Sequence, residues 1–180
     1  MRNTFLTLIG FLITINANAS VADFKDLMGI NSGRVWKYRV TGTGPSSCPF
    51  GDFESKVQEI TSSTDSTAVT MLYWCPPQIP RIYLKITDSE VLTGASPTPQ
   101  SLSMMGPVAE TTHWQVGTVV YQWKNRGTYK TYANCWAVEG RSPYYNSDAI
   151  YCYGTGMVFS RSESTGGYFD QSELLETRHD

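Results

Sequence analysis

Four cysteines (Cys48, Cys75, Cys135 and Cys152) and two histidines (His113 and His179) are the side chains in this 180-residue chain best suited to ligate a metal, form disulfides or move protons. Zinc sites draw on closely spaced ligand pairs. No Cys-x-x-Cys occurs and the histidines stand alone, so neither a metal nor another cofactor is expected. As a general base, His113 would need a nucleophile and an orienting carboxylate, and no Gly-x-Ser-x-Gly supplies one. Beside Trp114 in a strand-like run, it reads as a structural or surface histidine. Gly154-Thr155-Gly156 resembles part of a phosphate-binding loop, but it lacks the third glycine and joins two strands instead of opening a helix, so it reads as a bend. Asp52 and Glu54 share one strand face, and Glu173 and Glu176 lie near the end of the sequence. Such pairs are ordinarily solvated, which places a glycosidase low. No catalytic residue emerges. Whether the protein is an enzyme stays open, with the balance towards no.

Four cysteines allow three pairings. The midpoint of Cys48 and Cys75 coincides with the turn-rich Thr61-Ser62-Ser63-Thr64-Asp65-Ser66, and that of Cys135 and Cys152 falls beside Pro143. Each pair therefore reads as a cross-strand bridge on its own hairpin, where opposed residues come within disulfide range. Disulfides persist in oxidising compartments. The start of the sequence agrees: Arg2, an apolar run from Phe5 to Ile15 and then Ala17-Asn18-Ala19 form a secretory signal over residues 1–19, followed by one secreted β domain over 20–180. The run is shorter than the ~20 residues that span a bilayer. With no cysteine behind the cleavage point and no later apolar segment of that length, we expect a soluble, extracytoplasmic protein, periplasmic or secreted, without a lipid anchor or transmembrane segment.

A net charge of −2 with no basic stripe argues against nucleic acid as a partner. Aromatic residues make up 13% of the chain, with five Trp and eleven Tyr, so buried surface or an aromatic-lined site is the chief resource. Trp114, Tyr121 and Trp123 fall on one strand pair, and Met104 and Met105 lie in a Pro- and Gly-rich segment over 94–107. That segment reads either as a long loop forming a lid or rim or, equally, as an ordered strap tucking Leu102 and Met105 into the core. These five are the candidate ligand-binding residues. Methionine suits such a rim because its flexible side chain adapts to different ligand shapes.

The elements that must position them are strands. Val21, Phe24, Leu27 and Met28 give one short helix before Gly29. After it, 3.6-residue periodicity gives way to alternation: Trp36/Tyr38/Val40, Val69/Met71/Tyr73, Ile82/Leu84/Ile86 and Val119/Tyr121/Trp123. Further strands are expected in 57–60, 129–138, 149–153, 157–160 and 167–175. Eight to ten short strands joined by hairpin-sized turns make an all-β, mainly antiparallel fold, a curved sheet or incomplete β-barrel with one N-terminal helix. The alternating apolar faces suit an apolar small molecule, a lipid or another protein on a concave surface. The alternative is a carbohydrate-binding module using Tyr144, Tyr145 and Tyr151 near Asn146 and Asp148; a hydrolase ranks third.

Three segments also resemble a known group. Gly33-Arg34-Val35-Trp36-Lys37-Tyr38, Thr131-Tyr132-Ala133-Asn134-Cys135-Trp136-Ala137-Val138 and Tyr153-Gly154-Thr155-Gly156-Met157-Val158 are similar to strands of the TapB-like group of uncharacterised bacterial exported proteins. Val116-Gly117-Thr118 with Val120 and Tyr121 fits its mid-chain pattern, with Val120 where Trp is expected. Phe159 and Cys152 depart from the pattern. The resemblance implies an antiparallel fold similar to the half-barrels of periplasmic lipid carriers, with no catalytic residues to carry over.

Peptide mapping of the exported protein without reductant should recover Cys48 linked to Cys75 and Cys135 linked to Cys152. A crossed pair or free thiols would refute the hairpin arrangement.

Overall fold

The computed structural model describes residues 21–43, 50–74 and 81–180. The signal segment and the Cys48/Cys75 pair lie outside them. Helix α1 (Val21–Leu27) is followed by β1 (Arg34–Thr43), β2 (Gly51–Ser62), β3 (Thr67–Trp74), β4 (Arg81–Ile86), β5 (Glu90–Gly94) and β6 (Ser101–Met105). The second half holds β7 (His113–Val116), β8 (Val119–Tyr129), β9 (Tyr132–Arg141), β10 (Tyr145–Cys152), β11 (Gly156–Ser164) and β12 (Phe169–His179). All twelve join one antiparallel sheet in the order β6-β5-β4-β3-β2-β1-β12-β11-β10-β9-β8-β7. The fold is all-β and nearly closed. Twisted sheets beyond ~10 strands curl on themselves.

Two expectations need correction. Twelve strands are present where eight to ten short ones were expected, and several are long, β2 reaching 12 residues. The segment over 94–107 is not a free loop. Its Pro97 and Pro99 occupy the turn of a β5–β6 hairpin, and Ser101–Met105 then form one of the sheet's two edge strands. Proline bars a central strand but is compatible with the turn leading into an edge strand.

The ladder register carries one face around the interior. Trp36 lies opposite Ser55, which lies opposite Tyr73. Val57 leads to Met71 and Ile82, and Val69 to Leu84 and Thr93. From the other edge, Trp123, Val138, Ala149, Ser160, Ser172 and Val40 form one row across six strands. Helix α1 closes one end. Phe24 and Leu27 are fully buried, α1 packs against β4, and the Asp26 carbonyl accepts from Gly154 N–H at 2.7 Å in the β10–β11 turn. The Trp36 indole donates to the Thr155 carbonyl of the same turn at 2.6 Å. Gly154 and Gly156 both have positive φ there, as a bend requires.

On the opposite face of β9 and β10, Cys135 and Cys152 are ladder partners joined by a disulfide. Nearby, the β8–β9 hairpin brings Tyr129 onto Phe159 at 5.8 Å between ring centroids and pairs Lys130 with Glu173.

Gly29 has φ +63°, and a Cβ there would stand 2.6 Å from the Thr155 carbonyl carbon and oxygen. Gly29→Ala should therefore lower stability by more than about 1 kcal/mol, read as an earlier midpoint in urea. An unchanged midpoint would mean that the helix does not seat against this turn.

Candidate functional site

Inward-facing alternation fills much of the interior, but not all of it. Between β1–β6 and β10–β11, against the chain following α1, lies a cavity of about 490 Å³ lined by Met28, Trp36, Met71, Ile82, Leu84, Met104, Tyr151 and Met157 among others. Its wall is mainly apolar, with hydroxyls from Ser55, Tyr38, Tyr73 and Tyr151. A second chamber of about 380 Å³ shares Thr93, Ser103, Met104, Tyr151 and Met157 with the first. It is lined beyond them by Tyr121, Tyr145, Ser147, Ser160, Ser162 and Asp170, with Asp148 and Arg161 also on its wall. The two adjoin along these shared residues, the more apolar one towards α1 and the more polar one at the far end.

The phenols in the apolar chamber are neutral donors. Burial pushes the hydroxyls of Tyr38, Tyr73 and Tyr151 above the ordinary phenol range. Their mutual proximity raises Tyr38 further, against the opposing pull of Arg34. The Tyr38 hydroxyl donates to the Met157 carbonyl at 3.0 Å, which ties β1 to β11 across the floor of the lumen.

The five residues singled out in the sequence separate into two groups. Met104 lines both chambers and Tyr121 the second. Trp123, Trp114 and Met105 are not on either wall. The Trp123 side chain is fully buried, and its indole donates to the Met105 carbonyl at 2.7 Å. Trp114 stacks on Tyr121 at 5.6 Å and leans on Trp123 at 5.8 Å. This aromatic cluster, on β7 and β8, meets β6 through the Met105 carbonyl across the seam between β6 and β7, where no ladder runs. Of the three tyrosines in the carbohydrate alternative, Tyr144 is exposed, Tyr145 lies on the second chamber and Tyr151 is in the apolar one.

Of the carboxylates weighed as acid–base pairs, Asp52, Glu54 and Glu173 sit in ion pairs, Glu173 with Lys130. Arg39 bonds Asp52 at 2.9 Å, and Arg178 bonds both oxygens of Glu54 at 2.9 and 3.0 Å. These partners hold both carboxyls below their usual range. His113 is exposed, and His179 accepts from Arg34 at 3.1 Å. Among the described residues no three His, Cys, Asp or Glu side chains gather as metal ligands, and no helix is long and apolar enough to cross a membrane.

Sequence alternation had marked Met71, Ile82 and Leu84 as one inward face. It missed Met28 and Met157, whose place on the wall depends on how α1 and the β10–β11 turn meet. Tyr38 and Tyr73 carried the same alternation, without any sign that their hydroxyls would enter a cavity.

No protein-family model matches the chain, and no curated protein matches it. Two solved structures are similar in shape. One is a candidate exported protein with a YmcC-like fold from Bacteroides fragilis, with 8% identity and a TM-score of 0.45, covering 82% of this chain and 96% of that one. The other is a candidate lipoprotein from Parabacteroides distasonis, with 12% identity and a TM-score of 0.48, covering 82% and 96%. The similarity to the TapB-like group rests on its sequence motifs.

The buried phenols set a pH dependence. Below about pH 10 folded and unfolded chains both keep these protons; above it the unfolded chain loses them first, so stability falls as pH rises. Phenolate absorbance should show Tyr38, Tyr73 and Tyr151 titrating only with unfolding, and Tyr151→Phe should soften the alkaline loss. Titration of every tyrosine near pH 10 in the folded protein would contradict their burial.

Proposed function

We propose that this is an exported, non-enzymatic binding protein that holds an apolar small molecule, such as a lipid chain, inside its β lumen. The observation that carries the reading is the apolar chamber. Protein interiors are close-packed, with few voids larger than a water molecule, and a volume of about 490 Å³ lies within the ~300–1,000 Å³ of small-molecule sites. A concave, mainly apolar wall with a few placed polar groups is the usual make-up of a small-molecule site. Four methionines, Met28, Met71, Met104 and Met157, share its wall, and their side chains adapt to guests of different shape. Closure by α1 at one end suits the end of a chain better than the flat face of a protein partner. Export is supported by the signal-like segment over 1–19 and by the Cys135–Cys152 disulfide.

Ile82, half-buried on the chamber wall, offers the test. The mature protein should bind the apolar fluorophore N-phenyl-1-naphthylamine, and Ile82→Trp, which fills the chamber, should weaken that binding about tenfold or more. Leu175→Ala, at an exposed position on β12, should bind as the parent does. Absence of probe binding, or equal binding by Ile82→Trp with its fold intact, would refute the reading.

A further inference from the structure

We infer that the guest is an amphiphile whose uncharged, hydroxylated head, of the glycerol or sugar kind, occupies the chamber distal to α1 while its apolar chain lies in the chamber against α1. This rests on the proposed binding of an apolar molecule in the lumen and adds the chemistry of the other end.

The register of β10, β11 and β12 concentrates polar groups there. Ser147 lies opposite Ser162, and Ser162 opposite Asp170; Ser160 lies opposite Ala149 on one side and Ser172 on the other. On β2, β3 and β4 one inward row is Val57, Met71 and Ile82. The side chains of Ser147, Ser160, Ser162 and Asp170 line the second chamber, and none has a hydrogen-bonding or charged partner among the described residues. The three undescribed segments contain no Asp or Glu. The three serines are half-buried and Asp170 is exposed, so their polar groups are open to hydrogen bonding by water or by the hydroxyls of a guest. Serine hydroxyls donate and accept, and a carboxylate accepts from a pair of hydroxyls, so the set matches a head rich in O–H groups.

The surrounding rings and charges narrow the choice. Tyr145 lines this chamber and continues into a rim hollow bordered by Tyr168 and Phe169. Tyr121 reaches the wall because Gly140 has no side chain: a Cβ there would stand 2.6 Å from the Tyr121 ring and 2.5 Å from Ser147 Oγ. Two aromatic rings beside free hydroxyls can take the C–H face of a sugar or glycerol. Asp148 is bonded by Arg141 at 2.7 Å. Arg161 is paired with Glu163 and lies 5.3 Å from the Phe169 ring centroid, so its charge is already matched. What remains uncompensated is Asp170, which repels an anionic head. The other end of the lumen has the opposite character, because exposed Arg81 lines the apolar chamber with no acidic partner among the described residues. A fatty acid would bind there in the reverse sense, with its carboxylate on Arg81.

Displacement of N-phenyl-1-naphthylamine from the mature protein separates these cases, using 1-monolauroylglycerol, dodecyl glucoside and lauric acid below their micellar concentrations. The glycerol or glucoside compound, or both, should displace the probe at roughly tenfold lower concentration than lauric acid, and the triple variant Ser147→Ala, Ser162→Ala, Asp170→Asn should erase that ratio. If the triple variant melts early, Ser160→Ala alone should reduce the ratio. Which hydroxylated compound leads tells a sugar-type head from a glycerol-type one. Equal displacement by all three, a ratio unchanged in the well-folded variants, or a preference for lauric acid that Arg81→Gln abolishes overturns the assignment of the head while the apolar site stands. Failure of the probe to bind at all overturns both.

Discussion

A twelve-stranded sheet curled on itself has two edges, β6 and β7, and the hydrogen bond from the Trp123 indole on β8, the strand next to β7, to the Met105 carbonyl on β6 ties one side to the other. No ladder links β6 to β7, so backbone pairing cannot hold the seam. The fully buried Trp123 and its neighbours Trp114 and Tyr121 do so instead. The connection between the edges is also tied back: Thr112 Oγ1 donates to the Pro107 carbonyl at 2.7 Å, and Gly106 N–H to the Ser89 carbonyl at 2.7 Å. An uncovered edge would invite pairing with other chains. Everything described for the lumen presupposes this closure, because β6 carries Met104 and Ser103 to its wall.

Given closure, the two ends of the lumen acquire different characters through different means. At one end α1 packs over the sheet, held by the Asp26 carbonyl on Gly154 N–H and by the Trp36 indole of β1 on the Thr155 carbonyl. At the other, β10–β12 present serines and a carboxylate where their neighbours present apolar side chains. The difference in polarity between the two chambers results from the composition of the strands that line them. The Cys135–Cys152 bridge lies on the opposite face of the same β9–β10 ladder. In the chain-entropy account, a bridge closing a loop of this size contributes about 3 kcal/mol. It stiffens the hairpin that carries Val138, Ala149 and Tyr151 to the lumen.

The sequence by itself determined the fold class, the short helix before Gly29 and most of the inward face, because a period of two states which side chains share a side of a strand. It also indicated the Cys135–Cys152 pairing, since a turn midway between two cysteines brings them opposite each other. It could not tell packing from cavity. Trp123 and Leu84 have the same alternating surroundings, yet Trp123 seats on a carbonyl across the seam and Leu84 faces open volume. Alternation reports the side of the strand and nothing about what stands across the barrel. The prolines over 94–107 masked an edge strand for a related reason: proline's local veto on a central ladder leaves undecided whether the residues beyond the turn will find one free neighbour. Only the tertiary structure, by bringing β6 beside the seam and α1 against the β10–β11 turn, decided that Met28, Met104 and Met157 would share a wall, because they are brought together by strand order and end closure, which no local spacing records.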